Sequence, residues 1–403
     1  MGQRIEALVN PQMLVWARRR SHFDLVGAAK RVRVKPEKLQ AWEEGKARPT
    51  IRQAMILAQI YRCPLSAFYL RERPRDVQIA IRDFRGPAPS PEVDWSPALA
   101  REHILAEERR NALLGLADPE EGEFQPPEDL GTGEHPERIA FRLREYLGVS
   151  LEEQFRWAGV RQALRGWTEA LEKKNVLVFQ TKVRGHVLQP EEAHGFCVHY
   201  RKFPFIVINA RDSVSRRIFT LLHEFAHLVM RQSAVCDPEK EDLDVSTRAD
   251  DPEVLSNWIA GAVLVPLPEL SRMAKTFPAA RVGKWEEPII RRLAGKFRVS
   301  REVIVRRLLA AGLTTREFYL KKRDEYQREW QLFQARRRTD EKTRRLPEAW
   351  SVLRENGFAY CRRVFRAYFD DQLTLTDVSD LLDTKIKHVL RIQERLFDSQ
   401  TAA

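Results

Sequence analysis

Cysteine is scarce in this chain. There are four in 403 residues, Cys63, Cys197, Cys236 and Cys361, and no two stand at CxxC spacing. That argues against a disulfide framework and for a reducing compartment. Long apolar runs are missing too: no stretch approaches the roughly 20 residues of a membrane span. The opening Met1–Asn10 has no apolar core of signal-peptide length. The expectation is a cytoplasmic protein with no membrane partner. Positive charge, by contrast, is abundant, with 69 Lys and Arg against 57 Asp and Glu, a net +12. Such a balance points to nucleic acid or another anionic partner, although solvated basic helices alone produce it as well. The length suffices for two or three domains, each with its own core.

Residues 219–228 read Phe-Thr-Leu-Leu-His-Glu-Phe-Ala-His-Leu, an HExxH element inside an apolar run. On a helix His223 and His227 project from one face, where two imidazole nitrogens can grip one metal ion. Glu224, one position on, is placed to act as general base on a water activated by that ion. The element follows a strand-like run, 203–209, and a helix entry at Asp212-Ser213. A catalytic zinc site needs a third protein ligand and an open position. The next helical pattern, Pro252 to Val265 with a stop at Pro266, offers Glu253 on its polar first turn, with Asp251 as the weaker substitute. A first-turn acid favoured by the helix dipole is the plain alternative for Glu253.

The run Phe205-Ile206-Val207-Ile208-Asn209, then Arg217, then Phe219 to Leu228, then Glu253, Asn257, Ala260, Leu264 and Pro266 resembles the ImmA/IrrE metallopeptidases. The resemblance implies a zinc metallo-endopeptidase with ligands His223, His227 and Glu253 and general base Glu224. Many members carry a second acidic residue just before the asparagine, whereas this chain has Leu255-Ser256 there.

The first seventy residues carry helical patterns at about 11–20, 24–32, 36–44, 50–61 and 64–70, which suggest a compact all-α helix-turn-helix bundle. Leu39 to Gly45, Arg48 to Gln53, Leu57-Ala58, Tyr61 and Pro64 to Leu70 resemble the phage-repressor-type (XRE) helix-turn-helix that often precedes an ImmA/IrrE domain. Double-stranded DNA is the implied partner. By position its base-reading candidates are Lys35, Glu37, Lys38, Gln40 and Ala41, with Glu44 where a cation is common. A protein-docking or dimerising module is the alternative, and a homodimer is compatible with either.

The expected division is 1–73 for the helix-turn-helix domain, 74–134 for a linker with a helix at 97–116, 135–268 for the metallopeptidase core and 269–403 for a helical extension. Turn-rich 86–91 and acidic 118–134 read as connectors. In the core, a helix from Pro136, another at 151–173 and strands at 176–179, 196–200 and 203–209 predict a zincin-like α+β layer, a small antiparallel sheet backed by helices, in a chain that is otherwise mainly α. The charged stretch Arg316–Arg345 reads as a solvated helix with salt-bridged faces, with a nucleic-acid contact surface as the alternative. The tail Leu375–Leu396 has a helix-turn-helix look that core packing explains equally well.

His199 or Tyr200 could donate to an oxyanion, and as strand neighbours at most one of them faces the metal. Cys197 or Cys236 could occupy the open zinc position as an inhibitory thiolate, against the plainer reading of a buried cysteine. The resemblance implies cleavage of a transcriptional repressor or antitoxin-like helix-turn-helix protein in a stress, mobile-element or phage-defence response. The rival is a transcriptional regulator or toxin-antitoxin component whose metal domain senses or docks without hydrolysis.

Overall fold

The computed structural model describes residues 5–74, 81–83, 95–127, 134–182, 187–236, 251–278, 284–340 and 347–401. The turn-rich segment 86–91 and residues 128–133 of the acidic connector lie outside them.

The N-terminal bundle comprises α1 (Pro11–Arg20), α2 (Leu25–Val32), α3 (Pro36–Glu43), α4 (Ile51–Ile60) and a 3₁₀ turn (Leu65–Tyr69). Asn10, Asp24 and Thr50 cap three of these helices through their side-chain oxygens. Leu14, Ala28, Ala29, Leu39, Trp42, Leu57 and Phe68 meet in a core of their own. A bidentate Arg18–Glu43 pair at 2.8 and 2.9 Å ties α1 to α3. Three residues, 33–35, join α2 to α3, and Arg33 adopts left-handed backbone at φ 59°.

β1 (Arg82–Asp83) and α5 (Pro97–Leu116) follow. Next come α6 (Pro136–Leu147), α7 (Leu151–Arg156), α8 (Val160–Glu172), β2 (Leu177–Gln180), β3 (Gly195–Val198), β4 (Phe205–Ile208), α9 (Val214–Val229), β5 (Ala234–Cys236) and α10 (Pro252–Leu264). The helix anticipated at 151–173 is two helices. Trp157 turns into the core at the break, and its indole lies against Gly166, where an added Cβ would meet Trp157 Cζ2 at 2.4 Å.

The sheet has the order β1-β5-β3-β4-β2. β3 pairs antiparallel with both β4 and β5, as expected, but β2 pairs parallel with β4 and β1 parallel with β5, so the sheet is mixed. Only hairpin-joined neighbours such as β3 and β4 must run antiparallel. β4 and β5 run alike on either side of β3, and α9 makes the crossover between them over one face of the sheet. Successive strand residues point to opposite faces. Val178, Cys197, Ile206, Ile208 and Ala234 join α6, α8, α9 and α10 in one core. Leu177, Phe179, Phe196, Val198, Phe205 and Val207 join a second core on the other face. With both faces covered, the strands read as apolar throughout rather than alternating.

α11 (Leu267–Ala274), α12 (Glu287–Phe297), α13 (Arg301–Ala310) and α14 (Arg316–Asp340) extend the first core. α15 (Glu348–Asn356), α16 (Phe358–Phe369), α17 (Leu375–Leu381) and α18 (Ile386–Thr401) cover the second face together with α5. Among the described residues no single helix is long and apolar enough to cross a membrane.

The C-terminal end of α10 leaves carbonyls that its own ladder cannot satisfy. Three buried side chains take them: Arg144 Nη1 donates to Val263 O at 2.6 Å, Gln154 Nε2 to Leu264 O at 3.0 Å and Arg307 Nε to Val265 O at 2.9 Å. Gln154 also donates to Phe297 O at 2.7 Å and accepts from Arg144 at 2.8 Å. Gln154→Leu keeps the shape but orphans two carbonyls and an arginine N–H, and should cost on the order of 2–4 kcal/mol. Urea unfolding should show a lower midpoint at unchanged slope.

Candidate metal centre

α9 begins at Ser213, whose hydroxyl caps the Arg216 N–H at 3.2 Å. From Ile218 to Val229 every residue is buried. Within this apolar helix the polar side chains require partners, and the structure supplies them from two other elements. His223 and His227, one turn apart, bring their Nε2 atoms to 3.3 Å. Glu253, in the first turn of α10, reaches both: Oε1 lies 2.9 Å from His227 Nε2 and Oε2 lies 3.4 Å from His223 Nε2. Ligand-capable atoms of His223, His227 and Glu253 all lie within 4.8 Å of one another, and all three residues are buried.

The outer ring nitrogens fix the chemistry of the inner ones. His223 Nδ1 lies 3.0 Å from Asn257 Oδ1, and His227 Nδ1 lies 3.1 Å from Gln232 Oε1. An amide oxygen only accepts, so each Nδ1 carries a hydrogen and each Nε2 is the nitrogen turned towards Glu253 and the metal position. Such a group is held together by a cation at its centre or by protons on the Nε2 atoms donated to Glu253, as the 2.9 Å contact of His227 allows. Burial opposes ionisation of Glu253, but positive charge and hydrogen-bond donation from the His223 and His227 rings outweigh it and hold the carboxyl well below the usual range, as a cation in their midst would. The donor set of two imidazoles and one carboxylate fits zinc. Asp251 is not part of it; its carboxylate caps α10, accepting the Glu253 N–H at 3.0 Å.

Glu224 stands beside this group, fully buried, with no hydrogen bond to a nitrogen or oxygen and with the Cys197 thiol against its carboxylate. Burial pushes its pKa up to about 7 against the pull of the histidines. Gly195 on β3 keeps its space open. A Cβ there would meet Thr220 Cγ2 at 2.6 Å, Val207 O at 2.9 Å and Glu224 Oε1 at 3.4 Å.

Other anticipated residues fall elsewhere. Tyr200 is on the far face of the sheet, where its hydroxyl donates to Glu107 Oε1 at 2.6 Å and Arg110 lies over its ring. It is therefore no oxyanion donor to this site. His199, its neighbour in the chain, has its ring 6.4 Å from that of Phe124, which in turn meets Phe225 of α9; burial, with Arg231 nearby, lowers its pKa. Cys197 faces α9, but its thiol is outside the three-residue metal group, and burial next to Glu224 raises its pKa well above the usual thiol value, which disfavours a thiolate ligand. Cys236 pairs through its backbone with Gly195, and its side chain lies outside the described residues. In the N-terminal bundle Lys35, Glu37, Lys38 and Gln40 are exposed and Ala41 is half-buried; Gln40 donates to Glu44 at 2.7 Å.

Gln232 and Gly195 were not singled out from the sequence. Gln232 lies in the turn after α9 and Gly195 on a strand about thirty residues upstream of Glu224, and no local pattern marks either.

Residues 171–309 match the Peptidase_M78 family model, the IrrE N-terminal-like domain. The matched segment is about a third of the chain, runs from the end of α8 to the end of α13 and contains the whole cluster. It supports a metallopeptidase-like function. No curated protein and no solved structure matches the chain.

Asn257→Ala removes the acceptor that fixes the His223 tautomer without touching a candidate ligand. It should weaken zinc binding about 10–100-fold in competition with a chromophoric chelator. Unchanged affinity would show that the tautomer is set by something else.

Proposed function

We propose that this chain is a zinc-dependent endopeptidase, with His223, His227 and Glu253 as metal ligands and Glu224 as general base. One observation carries the reading: two imidazole Nε2 atoms, turned inward by amide oxygens on their Nδ1 atoms, converge with a buried carboxylate beside a second fully buried carboxylate. A bound zinc ion would supply Lewis acidity and acidify a water molecule. Glu224 takes the proton of the attacking water and returns it to the leaving amine. The apolar wall of Leu221, Leu222, Phe225 and Ala226 keeps bulk water from the reacting groups.

The substrate we propose is a repressor- or antitoxin-like helix-turn-helix protein, with the N-terminal bundle binding double-stranded DNA. The short turn between α2 and α3, the exposed Lys35, Glu37, Lys38 and Gln40, and the net charge of +12 support a DNA contact. A protease held on DNA meets DNA-bound substrates at high local concentration.

A specific observation favours a second reading. His223, Glu224, His227 and Glu253 are all 0% exposed, and such burial suits a closed structural or sensing ion better than an open catalytic one. In that reading the metal domain is a sensor whose ion stabilises one state of a DNA-binding regulator.

Metal analysis should find zinc in the wild-type protein and in Glu224→Gln, and its loss in His223→Ala and Glu253→Ala. Glu224→Gln should cut a co-encoded repressor about 10²–10⁴-fold more slowly than wild type. Cleavage at the wild-type rate by Glu224→Gln would sink the hydrolytic mechanism. Zinc retention without cleavage, together with zinc-dependent operator binding, would establish the sensor.

A further inference from the structure

Two helix pairs, one near each end of the chain, are built to one template. Asp24 caps α2 by accepting the Gly27 N–H, and Thr374 caps α17 by accepting the Asp377 N–H. Arg33 and Asp383 follow the two helices in left-handed backbone, at φ 59° and 48°. The next residue of each turn donates back to its helix, Val34 N–H to Ala29 O and Thr384 N–H to Ser379 O, both at 3.0 Å. The second helix opens the same way, with Lys38 N–H to Lys35 O at 3.0 Å and His388 N–H to Lys385 O at 2.8 Å. The buried contacts correspond as well: Val32, Leu39 and Trp42 in one pair, Leu382, Val389 and Ile392 in the other. All of these equivalent positions are 350 residues apart.

The turn alone does not imply a ligand. α12 and α13 share it, with Arg298 at φ 60° and Val299 N–H to Ala294 O at 3.1 Å. There the second helix is covered. Val303, Ile304, Val305, Arg307 and Leu308 are buried, and α14 packs across it. That pair is structural.

α18 differs in keeping its outer face open. Lys385, at its cap, and Ile386, Lys387, Leu390, Arg391, Glu394, Arg395 and Phe397 are exposed, four cations against one carboxylate with three apolar side chains among them. The outer face of α3 is balanced, with Lys35 and Lys38 against Glu37 and Glu44. The acids near the C-terminal turn are largely committed. Asp377 closes the capping box with Thr374, and Asp383 lies 2.6 Å from Lys182 and 3.6 Å from Arg62, leaving Asp380 exposed on α17. Lysine is depleted from protein-docking faces and favoured against phosphate.

We propose that α17 and α18 form a second unit for double-stranded DNA, with α18 as the helix that enters the major groove and Lys385, Lys387, Arg391 and Arg395 as its phosphate and base-edge contacts. The proposal is independent of peptide hydrolysis and of DNA binding by the N-terminal bundle. If the N-terminal bundle also binds DNA as proposed above, one chain carries two such units.

The test is fluorescence anisotropy of the full-length protein on a fluorescein-labelled mixed-sequence duplex of about 30 bp, across a salt series. Lys387→Glu/Arg391→Glu should weaken binding by about tenfold or more and lower the salt slope by about 1.8, from two lost phosphate contacts. The milder Lys387→Gln/Arg391→Gln should do so in the same direction, with zinc content and melting temperature unchanged in both. Lys35→Glu/Lys38→Glu serves as the comparison. Wild-type affinity and slope in both α18 variants would overturn the proposal, whatever the α3 variant does. A change from dimer to monomer in light scattering with DNA binding intact would also overturn it, and would make this face a docking surface for a second copy.

Discussion

Everything in the centre of this molecule follows from the need to satisfy ionisable side chains in a place without water. A carboxylate and two imidazoles at 0% exposure are costly unless their charges and lone pairs are matched. The match is made from three directions: Glu253 and Asn257 of α10, one turn apart, supply a carboxylate to the inner nitrogens and an amide to the outer nitrogen of His223, while Gln232 supplies the amide for His227. α9 and α10 must therefore keep their relative position to within a few tenths of an ångström. The buried arginine and glutamine contacts at the far end of α10 serve that requirement, because a helix pinned at its C-terminal carbonyls presents its first turn at a fixed place.

The site was legible in the sequence wherever its chemistry is local. His223, Glu224 and His227 lie within one helical turn and announce themselves by spacing, and Glu253 stands at the start of the next amphipathic helix. The strands at 177–180, 195–198 and 205–208 were legible because they are apolar runs between turn residues. What could not be read is what depends on contacts between distant segments. β1 and β5 are two and three residues long and pair across about 150 residues of chain, so neither has a pattern to detect. The strand expected to run to 200 ends at Val198, and the packing of α5 decides where Tyr200 just beyond it goes. The break at Trp157 exists because an indole packs on Gly166, a fact of tertiary structure written in no single segment.

The same limit applies to the repeated helix pair. Between its two copies, 24–42 and 374–392, only Leu25 with Leu375 and Lys35 with Lys385 are identical. Similarity of sequence is thus nearly absent, while the cap, the left-handed residue and the back-donating N–H are retained. The turn constrains backbone conformation rather than side-chain identity, and Asp in place of Arg at a left-handed position is tolerated at small cost.

The doubly covered sheet bears on what counts as the folded unit. The family match spans 171–309, yet one whole face of its sheet, with Leu177, Phe179, Phe196, Val198, Phe205 and Val207, is covered by α5 from before it and by α15 to α18 from after it. Cut free, that segment would present a continuous apolar surface of the kind that drives aggregation. The flanks therefore supply the cover for one of the two cores of the matched domain. Loss of either flank alone would bare part of that face, so the two act as one cover although they are separated by the whole matched domain.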